Sequence, residues 1–122
     1  MENKVYDLEK RTWLFARNVR QFVKKLQLTI PNREDIKQVV RSSGSIGANY
    51  IEANESLGDK DFLMKIKICR KEAKETGYWL SLIDTEDILV GERNELVQEA
   101  TELRKIFGAI LTKSQAKLNL DK

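Results

Sequence analysis

Apolar side chains recur along this chain at three- and four-residue spacing in four blocks, and no block shows the period-two alternation of a half-buried strand. The pattern predicts four helices. The first, over about residues 6 to 27, places Leu8, Phe15, Val19, Phe22, Val23 and Leu26 on one face at about 100° per residue. Lys10, Arg17, Arg20 and Lys24 fall opposite, and Trp13 and Leu14 lie off the stripe, toward the basic side. Pro31 disfavours helical geometry at Ile30, so the second helix is expected over about 32 to 57, with Asn32 as N-cap and Glu34 and Asp35 in its first turn. Its stripe is Ile36, Val39, Val40, Ser43, Ile46, Gly47, Tyr50 and Ile51. Arg41, Ser45, Ala48, Asn49 and Glu52 make the other side.

Gly58 and Asp59 read as a stop and a new N-cap. The third helix, about 60 to 85, is apolar on two sides: Phe62, Ile66, Cys69, Ala73, Gly77 and Leu80 on one, Met64, Ile68, Trp79 and Leu82 on the other. In a bundle this small the second side is expected to meet another subunit. Gly91 is expected to break the chain before a fourth helix over about 92 to 116, carrying Leu96, Val97, Ala100, Leu103, Ile106, Phe107, Ile110 and Leu111, with the final NLDK frayed. Four helices with short connections predict an all-α, antiparallel up-down-up-down four-helix bundle, one domain over residues 1–122.

Bulk properties narrow the function classes. A chain of 122 residues suits one core, and no apolar run approaches the roughly 20 residues of a membrane span. The N-terminus lacks the apolar segment of a secretory signal, and the single Cys69 fits a reducing compartment, so a cytoplasmic location is expected. The chain has no histidine, which removes the commonest metal ligand and general base. The net charge of +3 is unevenly spread: Lys10, Arg11, Arg17, Arg20, Lys24 and Lys25 occur with no acidic residue among them. Such a segment suits the phosphates of a nucleic acid. Trp13 beside it is a candidate for base stacking, though a subunit boundary is the preferred reading.

Residues 41–55, RSSGSIGANYIEANE, are small and polar for a helix, with two glycines that cost helix propensity. Ser43–Gly47 and Gly44–Ala48 are small pairs four apart, and close backbone approach by a neighbour is the expected compensation. Arg41, Ser45, Asn49 and Glu52 share one face, with Arg41 expected to pair with Glu72 or Glu75 across a subunit or helix interface.

This stretch resembles the "R-x-[AS]-x-S-I-x-[AS]-N-[IY]-x-E" helix of the four-helix-bundle proteins encoded in intervening sequences of bacterial 23S rRNA genes, once mislabelled ribosomal protein S23. FLMKIKICRKEAKETGYWL, Phe62 to Leu80, resembles that family's next helix, with Phe62, Arg70, Glu72, Glu75 and Trp79–Leu80 in register. Accessory proteins of diversity-generating retroelements are more distantly similar. The resemblance implies a ring, typically a homopentamer, no enzymatic activity, and RNA or nucleoprotein binding as the standing proposal. The chain departs from the family after Glu52: where the family has glycine and a short basic stretch, this chain has Ala53, Asn54, Glu55 and then Lys60 as the one cation before the third helix.

The sequence therefore predicts a non-enzymatic homo-oligomer that binds RNA or a nucleoprotein through basic surface repeated around the ring, with no cofactor, metal, membrane or small-molecule substrate. Arg11, Arg17, Arg20 and Lys24 are the candidate nucleic-acid contacts. Arg41, Ser45, Asn49, Glu52, Met64, Ile68 and Trp79 are the candidate subunit contacts. A protein-binding adaptor without nucleic-acid affinity is the alternative, and a carboxylate hydrolase built on Glu52, Glu72 and Glu75 ranks last.

Overall fold

All four apolar stripes wind into helices: α1 (Leu8–Val23), α2 (Ile30–Asn54), α3 (Asp59–Leu82) and α4 (Asp87–Leu120). The computed structural model describes residues 7–120, so Tyr6, Asp121 and Lys122 lie outside the described residues. Each helix packs on its sequence neighbours, and α1 closes the square on α4; across the diagonal, the Tyr50 ring of α2 meets the Phe107 ring of α4, centroids 5.7 Å apart. The core is one cluster with contributions from every helix, including Phe15 and Phe22, Val39 and Ile46, Ile66 and Leu80, and Leu103 and Phe107, each 2% exposed or less. Each such side chain contributes about 1.5–3 kcal/mol of transfer free energy.

The helix ends differ from the sequence reading for local reasons. α1 stops at Val23 because the next turn tightens: Lys25 N–H donates to Phe22 O at 3.0 Å and Leu26 N–H to Val23 O at 3.2 Å. That turn still buries Leu26, which is why the stripe ran past the helix. α2 begins earlier than expected, at Ile30. Thr29 is its N-cap, with the hydroxyl accepting from Asn32 N–H at 3.2 Å, and Pro31 sits in the first turn, where a missing N–H costs nothing. Gly58, not Asp59, caps α3.

Gly91 does not break the chain, and Asn119 continues the last helix rather than fraying. A β-carbon at Gly91 would meet nothing within 4 Å. Gly91→Ala is therefore expected to stabilise the protein by about 0.5–1 kcal/mol through helix propensity alone. Thermal melting followed by circular dichroism checks this, with a rise of roughly 2–5 °C expected.

Cys69 is fully buried on α3, its Sγ–H directed at Ile46 O 3.5 Å away. Burial pushes the thiol up from 9.0 to about 12. Because the folded state holds this proton more tightly than the unfolded state, its contribution to stability is present below pH 9 and is lost as the pH rises toward 12. Native protein at pH 8 is accordingly expected to resist a disulfide reagent such as DTNB, and to react stoichiometrically once unfolded in guanidinium.

Candidate functional site

The fold sorts the cations of α1 into two groups. Arg11 and Lys25 lean toward α4, whose Glu92, Glu99 and Glu102 recur at spacings that place them on one face. Arg11 Nε and Nη2 bind the two Glu99 oxygens at 2.7 and 2.8 Å, a bidentate pair that holds the guanidinium more firmly protonated. Lys25 Nζ donates to Glu92 Oε1 at 2.8 Å. Among the described residues, Lys10, Arg17, Arg20 and Lys24 form no ion pair, and all four are exposed. Arg17 donates to the neighbouring Asn18 Oδ1 and lies 5.7 Å from the centroid of the Trp13 ring. Arg20 donates to Ala16 O of its own helix at 3.1 Å and reaches across to α2 to donate to Val40 O at 3.4 Å.

Between α1 and α2 runs a groove made of two adjoining concavities. One, about 440 Å³, has Trp13 and Ile51 on its walls and Gly47 at its base. The other, about 520 Å³, lies among Ile36, Lys37, Val40 and Arg41. Arg20, Gly44 and Ala48 border both. The two glycines of α2 have different neighbours. A β-carbon on Gly47 would stand 2.9 Å from Thr12 Oγ1 and 3.2 Å from Thr12 Cβ, so α1 and α2 meet here at a distance that only glycine permits. A β-carbon on Gly44 would meet only the end of the Arg20 side chain, at 3.2 Å. Ile51, expected in the core, is instead 51% exposed on the groove wall.

The polar face of α2 meets α3 within the same chain. Arg41 lies 3.8 Å from Glu72 Oε1 and 4.0 Å from Glu75 Oε1, and Lys65 Nζ donates to Glu52 Oε1 at 2.9 Å. These contacts are ion pairs at the two ends of the seam; between them Ser45 donates to Arg41 O and Asn49 to Ser45 O along the helix itself. Glu72 is nearly buried, and Arg41 is too far from its Oε1 for a hydrogen bond. Beneath the seam, the Thr76 hydroxyl donates to Glu72 O at 2.7 Å and lies 2.8 Å from Ser42 Oγ. Among the described residues no three His, Cys, Asp or Glu side chains converge as metal ligands do.

The model of the 23S rRNA-intervening sequence protein family matches residues 6–109, most of the chain and part of every helix. The chain belongs to this family. Its fold and sequence are also similar to a crystal structure from Bacteroides thetaiotaomicron VPI-5482, a protein of unknown function in the S23 ribosomal protein family. The TM-score is 0.75 at 32% identity, over 90% of this chain and 99% of that one. No curated protein matches.

In this member of the intervening-sequence family, the expected nucleic-acid residues separate: Arg17, Arg20 and Lys24 share the outer side of α1, whereas Arg11 is committed to Glu99. Arg41, expected to pair across a subunit or helix interface, and Glu52, expected at a subunit boundary, both pair within the chain across α2 and α3. On the outer side of α3, Met64 is 57% exposed, and Ile68 and Trp79 are partly covered. Three features escape a helix-by-helix reading of the sequence: Thr12, the acidic stripe of α4 and the role of Asn32. Thr12 carries no sign in its own stretch that it faces Gly47. The acidic stripe of α4 was legible as a partner for the α1 cations. Asn32 was misread as a cap, and its actual contacts join two turns far apart in sequence.

Proposed function

We propose that this family member is a non-enzymatic helical-bundle protein that assembles with copies of itself and binds RNA through the outer basic side of α1. The observation that carries the reading is the sorting of cations. The α4 carboxylates neutralise Arg11 and Lys25, while Lys10, Arg17, Arg20 and Lys24 remain without carboxylate partners among the described residues, along about four turns of one helix. A row of this kind suits a phosphate backbone and confers affinity with little sequence preference. Self-assembly is supported by the outer stripe of α3, where Met64, Tyr78 and Leu82 leave large apolar surface uncovered. Repetition of the basic row around an assembly multiplies weak contacts through effective concentration.

Filter binding of a structured RNA across a salt series tests the reading. Affinity is expected to fall steeply, with a log–log slope of about −3 for four phosphate contacts per chain, and to collapse in Arg17→Glu/Lys24→Glu. Absence of binding at 50 mM salt overturns RNA binding and favours the adaptor alternative. Light scattering is expected to give a mass several times 14.1 kDa that drops in Met64→Glu; a monomer at micromolar concentration overturns the assembly.

A further inference from the structure

The groove between α1 and α2 offers more than a basic ridge. We infer that it is a site for a single-stranded nucleic-acid segment, with an unpaired base stacked on the Trp13 indole and phosphates held by Arg17, Arg20 and Lys37. The inference rests on the RNA-binding reading and assigns it a strand form and a place.

Four observations converge. First, Trp13 is 61% exposed at the wall of the groove, a costly position for a large aromatic, and the Arg17 guanidinium over its ring, 5.7 Å from the centroid, adds positive charge beside the indole and leaves its other face for a base. Second, the two concavities share Arg20, Gly44 and Ala48 and so adjoin as one trough from Ile36 to Ile51, shallow and open at the Ile36 end and deeper beside Trp13. At 1.5 Å per residue that is roughly 22 Å, enough for about four to six phosphates of a single strand. Third, cations border the trough along its length: Arg17 and Arg20 from α1, Lys37 and Arg41 from α2. Arg41 is shared with Glu72 and Glu75, and Lys37 with Glu34 at 3.4 Å between exposed side chains, a pair that a phosphate displaces readily. Among the described residues the one carboxylate at the border is Glu9, which accepts a hydrogen bond from Asn54 at 2.8 Å.

Fourth, Gly44 is not demanded by packing. Gly47 is needed to admit Thr12, but at Gly44 only the movable end of Arg20 stands in the way of a side chain. A glycine there keeps the trough floor low for a ligand that must approach the backbone. A duplex is too wide to enter such a trough and would touch only the ridge of α1, without a stacking partner.

Ribose and deoxyribose strands present the same phosphates and bases, so both are used as probes. Fluorescence anisotropy with labelled U8 and dT8, and with a 16-base-pair RNA duplex, is measured on the full chain in its native assembly. Trp13→Ala is expected to weaken single-strand binding about ten-fold and to leave duplex binding within two-fold. Ala48→Leu, a plug at an exposed position that leaves every charge in place, is expected to do the same. The ratio of U8 to dT8 affinity then names the physiological strand. Unchanged U8 and dT8 affinity in both variants, with binding still lost in Arg17→Glu/Lys24→Glu, overturns the groove while leaving the basic ridge as the RNA site. A groove buried by a second copy, seen as Trp13 emission that shifts with protein concentration and not with oligonucleotide, also overturns it. Failure of all three nucleic acids to bind at low salt overturns this inference together with the reading beneath it.

Discussion

Replacing Asn32 with leucine is expected to lower the stability of the fold by about 2–4 kcal/mol. Asn32 is 1% exposed. Its Nδ2 donates to Gln27 O and to Asp84 O, both at 3.0 Å, and its Oδ1 accepts from Asp84 N–H at 3.1 Å. One amide thus satisfies three backbone groups, on the turn between α1 and α2 and on the turn between α3 and α4. Leucine has similar volume but leaves those groups without a partner, at about 1–3 kcal/mol for each that water cannot reach. Arg93, which donates to Ile83 O at 3.0 Å, would still hold the second turn in part. Urea unfolding measures the loss as a reduced midpoint at unchanged slope. Asn32→Asp sharpens the test. It keeps the acceptor for Asp84 N–H and turns a carboxylate toward two carbonyl oxygens. Its folded pKa should rise above the unfolded value, so the variant is expected to regain stability as the pH falls. A variant equally stable at pH 7 and pH 5 would show that the amide donors contribute little.

Gly47→Val is the second large effect, a destabilisation of about 2–4 kcal/mol, with Gly47→Ala milder at about 1–2 kcal/mol. The obstacle is not a flexible tip. Thr12 is buried, β-branched, and held by contacts from its hydroxyl to Leu8 O and Glu9 O at 2.9 and 3.0 Å. Its Oγ1 would lie 2.9 Å and its Cβ 3.2 Å from the new Cβ, and because a β-carbon is fixed to the backbone, α1 itself must give by a few tenths of an ångström. Overpacking of this kind exceeds the gain of about 1 kcal/mol in helix propensity. Gly44→Ala, three residues away, is the control: there the propensity gain should win, because the Arg20 guanidinium can swing aside. A double-mutant cycle with Thr12→Ala should return part of the loss in Gly47→Ala, since the closest atom is gone. If Gly44→Ala and Gly47→Ala were equally well tolerated, close approach of α1 would not be the reason for the glycine.

Both predictions concern contacts between segments distant in sequence, which no local pattern specifies. The composition of residues 41–55 announced that something approaches α2 closely, and the structure names it as Thr12 of α1. The polar set Arg41, Ser45, Asn49 and Glu52 was placed correctly on one face, and its carboxylate partners Glu72 and Glu75 were foreseen. Lys65 as the partner of Glu52 was not, because nothing local distinguishes it from the other lysines of α3. The basic side of α1 was read as one unit of six cations. It divides in two because α4 happens to present carboxylates along one edge of α1 and not along the other.

By itself the sequence determined the number and order of the helices, the faces they bury and the family they belong to. Those follow from the period of apolar positions and from short motifs, and both act within a few residues. Helix ends already needed more: Gly91 was read as a break because its propensity is poor, yet the surrounding helix carries it. What only the tertiary structure decided is which polar groups are spent within the fold and which remain for a partner. Hydrogen bonds and ion pairs act over about 3–4 Å, so their assignment waits on how helices are brought side by side. Arg11 and Arg17 are the same residue type on the same helix. Packing alone gives one to Glu99 and leaves the other beside an exposed tryptophan at the edge of a groove.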